Sequence, residues 1–230
     1  MNEQLTLGLQ LRASARFSSF VPGAHDELYR QLQLVAEGAA AGPLYGWGSP
    51  GTGKTHLLQA CCHRAHSHGR SAAYLSLREF RQLSPEVLAG WETFDLVCLD
   101  DIDSIAGHAD WEEALFHLYN RLQDTGKPLV VSAAMAPAQL PIRLPDLVSR
   151  LAAGLVYQLH PLDDDDSLQA MRLRANQCGF DLPEDTGRYL LRRLPRDLPA
   201  LLGLLERLDS ASLAAQRKLT VPFVKSVLKL

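Results

Sequence analysis

The sequence predicts an α/β fold, a mostly parallel five-stranded sheet covered by helices, followed by a small all-α module. Three observations predict it. Short apolar runs alternate with helical patterns from residue 26 to residue 159. A glycine-rich turn joins the first of these runs directly to a helix. After Pro161 no convincing strand follows, only helical segments broken by Gly179, Pro183, Pro195 and Pro222. The chain therefore divides into a tail at 1–12, an α/β domain at 13–162 and a helical domain at 163–230.

Each element has its own signal. In the tail, Leu5, Leu7, Leu9 and Leu11 alternate with polar or small residues. Leu28, Leu32 and Val35 share one face of a helix over 26–38. Leu44–Trp47 is a short apolar strand, and Leu57, Leu58, Cys61 and Cys62 mark the helix after the glycine-rich turn. Ala72–Leu77 is the next strand. Leu96–Leu99 is apolar throughout, as a strand buried on both faces must be, and ends in Asp100 and Asp101. Trp111, Leu115, Leu118, Tyr119 and Leu122 recur at helical spacing, and Gly126 closes that helix. Leu129–Ala133 and Val156–Leu159 complete the sheet, with a short helix at Leu147–Leu151 between them. Four helices are expected behind it, at Ser167–Gln177, Glu184–Leu194, Leu198–Ala215 and Val221–Leu228.

Composition sets the broad class. Of 230 residues, 47% are hydrophobic and 21% charged, which excludes disorder, collagen-like repeats and coiled coil as descriptions of the whole. No apolar run approaches a bilayer span. The N-terminal residues lack the basic and apolar regions of a signal peptide, so a cytoplasmic protein is expected. A net charge of −3 argues against a protein that coats nucleic acid. Cys61, Cys62, Cys98 and Cys178 sit in apolar contexts without metal-ligand spacing and are expected to be buried, reduced thiols. His63, His66 and His68 read as a solvated helix end, Asp163–Asp166 as a helix cap, and Trp47, Trp91 and Trp111 as packing. Leu201, Leu205 and Leu208 read as the core stripe of the helical domain.

The chemistry is concentrated in the turn. Gly48, Ser49, Pro50, Gly51, Thr52, Gly53, Lys54 and Thr55 match the pattern G-x-x-x-x-G-K-[ST] between a strand and a helix. Glycines let successive backbone N–H groups converge on phosphate oxygens, and the helix start adds the positive end of its dipole. Lys54 can reach the β- and γ-phosphates, and the Thr55 hydroxyl can bind Mg²⁺. Asp100, at the carboxyl end of a buried strand, is placed to hold that Mg²⁺ through water. Asp101 is a candidate to orient or polarise a water near the γ-phosphate.

The loop, the LVCLDD strand and the helical tail domain together resemble the AAA+ superfamily. FSSFVPG at 17–23 resembles a leading segment of the DnaA-like clade, where it lies beside adenine; Phe20 and Val21 are the matching positions. WEEALFHLYNRLQDTGKP at 111–128 and AQRKLTVPFVKSVLKL at 215–230 resemble one branch of that clade, the regulatory inactivator of DnaA or Hda family. The resemblance implies ADP or ATP with Mg²⁺ as cofactors. It implies a protein tethered to the DNA-loaded sliding clamp (the beta subunit of DNA polymerase) that promotes hydrolysis of ATP held by the DnaA initiator. No sequence-specific DNA-binding domain and no membrane partner are expected; a homo-oligomer is possible. Gln4, Leu5, Leu7 and Leu9 resemble the clamp-binding consensus Q-L-x-L-x-L. Arg150, in DLVSRLAAG, matches the arginine finger that AAA+ proteins present to a neighbour's nucleotide. A surface pair with Asp146 is the plainer reading of Arg150, and Arg143 is the alternative finger.

Two positions depart from the family pattern. The polar sensor after the fourth strand falls on Ala134, with Ser132 the nearest polar substitute. The second sensor, an arginine in the family, falls on Pro199, with Arg196 the nearest cation. A protein that holds nucleotide but hydrolyses it poorly alone is the expectation. The rival expectations are a self-sufficient ATPase of the helicase-loader kind (DnaC or IstB) and a binding module whose nucleotide is structural.

Overall fold

The computed structural model of the chain describes residues 11–195, 197–215 and 217–228. They form two compact units. The first holds the described residues up to Phe20 together with His25–His160. The second holds Val21–Ala24 and the described residues from Pro161 onward.

The first unit is a three-layer sandwich. Its helices and strands are α1 (Asp26–Glu37), β1 (Leu44–Gly48), α2 (Lys54–Ser67), β2 (Ala72–Ser76), β3 (Leu96–Asp100), α3 (Ala109–Asp124), β4 (Leu129–Ala133), α4 (Pro145–Ala152) and β5 (Leu155–Leu159). The five strands are parallel in the order β2-β3-β4-β1-β5. Side chains alternate across a strand, so each strand feeds two cores. Leu44, Leu96, Cys98 and Val130 face α1 and α2. Tyr45, Val97, Leu99, Leu129 and Val131 face α3 and α4. The fully apolar run of β3 follows from this double burial: Leu96 through Leu99 have no measurable exposure.

Local chemistry fixes the ends. α1 stops where Gly38 turns left-handed (φ 81°) and donates its N–H to the Leu34 and Val35 carbonyls. Arg70 completes that end, with Nη1 donating to the Val35 and Ala36 carbonyls at 2.7 and 2.8 Å and Nη2 to the Asp95 carbonyl at 2.9 Å. Leu11 packs beside α2, and Arg12 N donates to Gln59 Oε1 at 3.1 Å. Thus these last two residues of the expected tail are docked on the α/β unit.

Between β2 and β3 the chain makes 3-10 turns at Leu77–Gln82, Pro85–Leu88 and Trp91–Thr93. They bury Leu77, Phe80, Leu88 and Trp91 against α3. Turns this short have no helical period to read, so the sequence patterning does not reveal them. β5 is an edge strand whose Leu155 and Val156 are exposed, unlike the buried β3.

The second unit carries α5 (Asp164–Gln177), α6 (Glu184–Arg193), α7 (Leu198–Ala215) and α8 (Val221–Leu228). Asp163 caps α5, its carboxylate accepting from Asp166 N at 2.8 Å. Met171, Leu190, Leu205, Leu208 and Val224 are fully buried between the helices. Thr186, also fully buried, donates its hydroxyl to the Leu219 carbonyl at 3.2 Å. Cys61, Cys62 and Cys98 are buried as expected, but Cys178 is exposed, because it follows the last turn of α5 where the chain leaves the core. Among the described residues no helix is long and apolar enough to cross a membrane.

Candidate functional site

The phosphate loop runs from the end of β1 into α2. Gly51 (φ 82°) and Gly53 (φ 91°) are left-handed, a conformation that glycine adopts without steric penalty. Two glycines are also needed for space. A Cβ on Gly48 would sit 2.2 Å from the Leu159 carbonyl oxygen on β5, and one on Gly53 would sit 2.6 Å from the Phe20 ring. Phe20 therefore lies directly against the loop. Its ring stacks on Tyr29 with centroids 6.1 Å apart and meets His56 at 5.6 Å. Val21 is buried and counts with the second unit.

Lys54 opens α2, and its ammonium donates to the Gly48 and Ser49 carbonyls at 2.6 and 3.0 Å. Burial lowers its pKa, against the pull of Asp101, Asp100 and Asp103, which favour the charged form. Thr52 ties the loop back with a 2.9 Å bond to the Ser49 carbonyl, and Ser49, Pro50 and Gly51 form the exposed crest. Thr55 is half-buried in the first turn of α2.

Asp100 is 1% exposed at the carboxyl end of β3. Leu99 is level with Val131 in the sheet, so the next residues along, Asp100 and Ser132, stand side by side on the α2 face. Ser132 Oγ donates to Asp100 Oδ1 and accepts from Asp101 N at 3.1 Å. Tyr74, two residues before the strand position opposite Asp100, donates its hydroxyl to Asp100 Oδ2 at 3.0 Å. Burial and the adjacent Asp100 charge push the Tyr74 pKa well up, so it stays a donor. Ser132 is thus spent on the two aspartates, which corrects its expected role as a substitute sensor. Its hydroxyl has no exposed surface left to present to a phosphate.

Asp101 is the one described non-glycine residue with a left-handed backbone (φ 57°). Its carboxylate pairs with Arg78 at 3.0 Å. Burial, then repulsion from Asp100, raises its pKa, while Arg78 and Lys54 oppose the rise. Asp103 accepts from Ala134 N at 2.9 Å, so the sensor position is held by its backbone rather than by a side chain. Pro199 lies in α7 of the second unit, and Arg196 lies outside the described residues. Sequence reading missed Tyr74, Arg78 and Asp103, since strand register brings Tyr74 to Asp100, and the turns after β2 and β3 bring Arg78 to Asp101 and Asp103 to Ala134 N.

Thr55, in the first turn of α2, and Asp100, at the end of β3, offer hard oxygen donors of the kind that suits Mg²⁺. Among the described residues no group of three metal-ligating side chains forms a self-contained cage. Two such donors would leave most of a Mg²⁺ coordination shell to other oxygens.

Arg150 stands on α4, in the layer opposite α2, and is exposed. Its guanidinium lies over the Tyr119 ring, 5.9 Å from the centroid. Among the described residues it forms no ion pair; Asp146 does not engage it. Arg143 is exposed just before α4. Gln4, Leu5, Leu7 and Leu9 lie outside the described residues.

Comparison with known proteins follows the two units. Residues 11–158 match the family model for the bacterial DnaA ATPase domain, and residues 164–228 match that for the Hda lid domain. The chain belongs to the DnaA-like AAA+ family, Hda type. Domain III of the Thermotoga maritima replication initiation protein DnaA superposes with a TM-score of 0.83 at 24% identity, covering 96% of this chain and 98% of that one. A replication initiator DnaA bound to AMPPCP and single-stranded DNA gives 0.76 at 24% identity, over 86% of this chain and 66% of the other. The Thermotoga maritima RuvB Holliday junction branch migration motor gives 0.69 at 15% identity, over 93% and 73%. These likenesses carry the AAA+ fold, an α/β core with a C-terminal helical lid. The Hda-type chain is accordingly a DnaA-related replication regulator, and its α/β unit and lid carry the two family matches separately.

Proposed function

We propose that this Hda-type chain is a negative regulator of replication initiation that stimulates hydrolysis of ATP bound to DnaA. The observation that carries the reading is the contrast between its two ends of chemistry. Position 134, just after β4, carries alanine where the family has a polar sensor, while Arg150 stands exposed and without an ionic partner among the described residues. A guanidinium offered to a neighbour's γ-phosphate stabilises charge in the transition state and contributes on the order of 10³–10⁵ in rate.

The chain's own loop holds a nucleotide, ADP in the working state. Backbone N–H groups of Gly51, Thr52, Gly53 and Lys54 would bind its phosphates, Thr55 and Asp100 would hold Mg²⁺, and Phe20 would lie beside the base. When bound, the ion screens phosphate charge against the three nearby aspartates. DnaA-family proteins described with AMPPCP bound support the nucleotide. Tethering to the sliding clamp runs through Gln4, Leu5, Leu7 and Leu9, an extended segment with one amide and alternating leucines for an apolar groove.

The test is reconstitution with DnaA, clamp and DNA, following conversion of ATP to ADP on DnaA. Arg150→Ala is expected to abolish stimulation while leaving ADP binding intact. Replacing Gln4 and Leu5 by Ala is expected to remove stimulation only when it depends on loaded clamp. Unchanged stimulation by Arg150→Ala would defeat the reading. Brisk ATP turnover by the isolated chain would favour the helicase-loader alternative.

A further inference from the structure

We infer that α3 is a clamp that positions the α4 arginine, with Glu112 and Tyr119 as positioning residues. This rests on the finger reading of Arg150. The helix motif WEEALFHLYNRLQ is otherwise unaccounted for: its apolar residues fill the core, but Glu112 is a carboxylate with 1% exposure. A buried charge persists only where bonds satisfy it. Glu112 Oε1 accepts from Gly107 N at 2.6 Å, and Oε2 accepts from Arg143 N at 2.9 Å and Leu144 N at 3.0 Å.

Leu144 is the residue that caps α4, and Arg143 precedes it. Glu112 thus takes up N–H groups at the start of α4 and adds negative charge at the positive end of its dipole. Two turns further along α3, Tyr119 lies 3% exposed with its ring under the Arg150 guanidinium. One helix therefore holds the finger helix at its first residues and meets the finger at its guanidinium. Leu147 and Leu151 are buried in the core on the same helix, so the inner face of α4 is packed along its length.

The chemistry makes the pair separable. Glutamine at 112 offers one accepting oxygen and one donating NH₂, so it cannot satisfy N–H groups on both sides. Phenylalanine at 119 keeps the ring face that attracts a cation; leucine keeps apolar bulk without it. The experiment measures DnaA-bound ATP hydrolysis in the reconstituted clamp reaction against concentration of this chain. Tyr119→Leu is expected to lower the saturating rate by roughly two- to fivefold, with half-saturation unchanged. Tyr119→Phe is expected to match wild type. Glu112→Gln is expected to lower the saturating rate and to speed amide exchange at Arg143 and Leu144.

Wild-type saturating rates for both Tyr119→Leu and Glu112→Gln, beside a dead Arg150→Ala, would overturn the clamp and leave the finger intact. Full activity of Arg150→Ala would overturn the finger reading itself, and the clamp's role with it. If Glu112→Gln does not fold, the Tyr119 pair decides alone: a leucine variant equal to the phenylalanine variant refutes the proposal.

Discussion

Ser132→Ala tests the network that fixes the two aspartates. The substitution removes one oxygen from a site with no exposure and leaves the backbone unchanged. Asp101 N loses its acceptor at 3.1 Å, and Asp100 Oδ1 loses its donor. A buried N–H without a partner costs about 1–3 kcal/mol, and a bond to a charged group contributes about 1.5–3 kcal/mol. The two losses share one hydroxyl, and Tyr74 still donates to Oδ2, so they do not add fully. We expect about 2–3 kcal/mol of destabilisation, a fall in Tm of roughly 4–12 °C for a domain of this size. Urea unfolding followed by tryptophan fluorescence is the assay, because Trp47, Trp91 and Trp111 all lie in the α/β unit. A cycle with Asp100→Ala, which removes the acceptor, measures the Ser132–Asp100 coupling, expected at about 1 kcal/mol or more. A change below about 0.5 kcal/mol for Ser132→Ala would refute the network, since that is the size of an ordinary surface substitution.

Three further outcomes follow from the same reasoning. Arg70→Ala removes three guanidinium bonds to carbonyls at the end of α1 and before β3, and should cost about 2 kcal/mol in urea unfolding, with Arg70→Lys recovering only part because a lysine lacks the planar fork. Gly48→Ala and Gly53→Ala should each destabilise, the first because its Cβ would meet a β5 backbone oxygen at 2.2 Å, the second because alanine is strained at φ 91° and would meet the Phe20 ring; a wild-type Tm for either would contradict this. Asp101→Asn should raise Tm at pH 7. The folded-state pKa of Asp101 is raised, so its protonated form is favoured in the fold and ionisation costs stability as pH rises through that pKa. The advantage of the asparagine variant should therefore shrink as pH falls through the carboxylate range, and a constant or inverted difference would show that the Arg78 pair outweighs burial.

The phosphate-loop pattern was legible because its residues are contiguous and each has a local place: glycine at the left-handed turns, lysine and threonine at the helix start. The strands were legible because double burial leaves an apolar run, as at Leu96–Leu99, and the long helices because Trp111 to Leu122 and Leu201 to Leu208 keep a helical period. These signals depend only on near neighbours in the chain. Cys178 shows their limit: its apolar context predicted burial, but its place at the end of α5 exposes it.

What the tertiary structure decided is who shares a hydrogen bond across the sheet and between helices. Ser132 reads in sequence as a spare polar residue near a phosphate; parallel register puts it beside Asp100, 32 positions away. Glu112 reads as an ordinary polar helix position, and only the packing of α3 against the start of α4 buries it against Arg143 and Leu144. Local sequence selects backbone conformation through sterics and periodicity. Long-range pairing, which satisfies each buried charge, is set by how the layers stack, and no short window of residues records it.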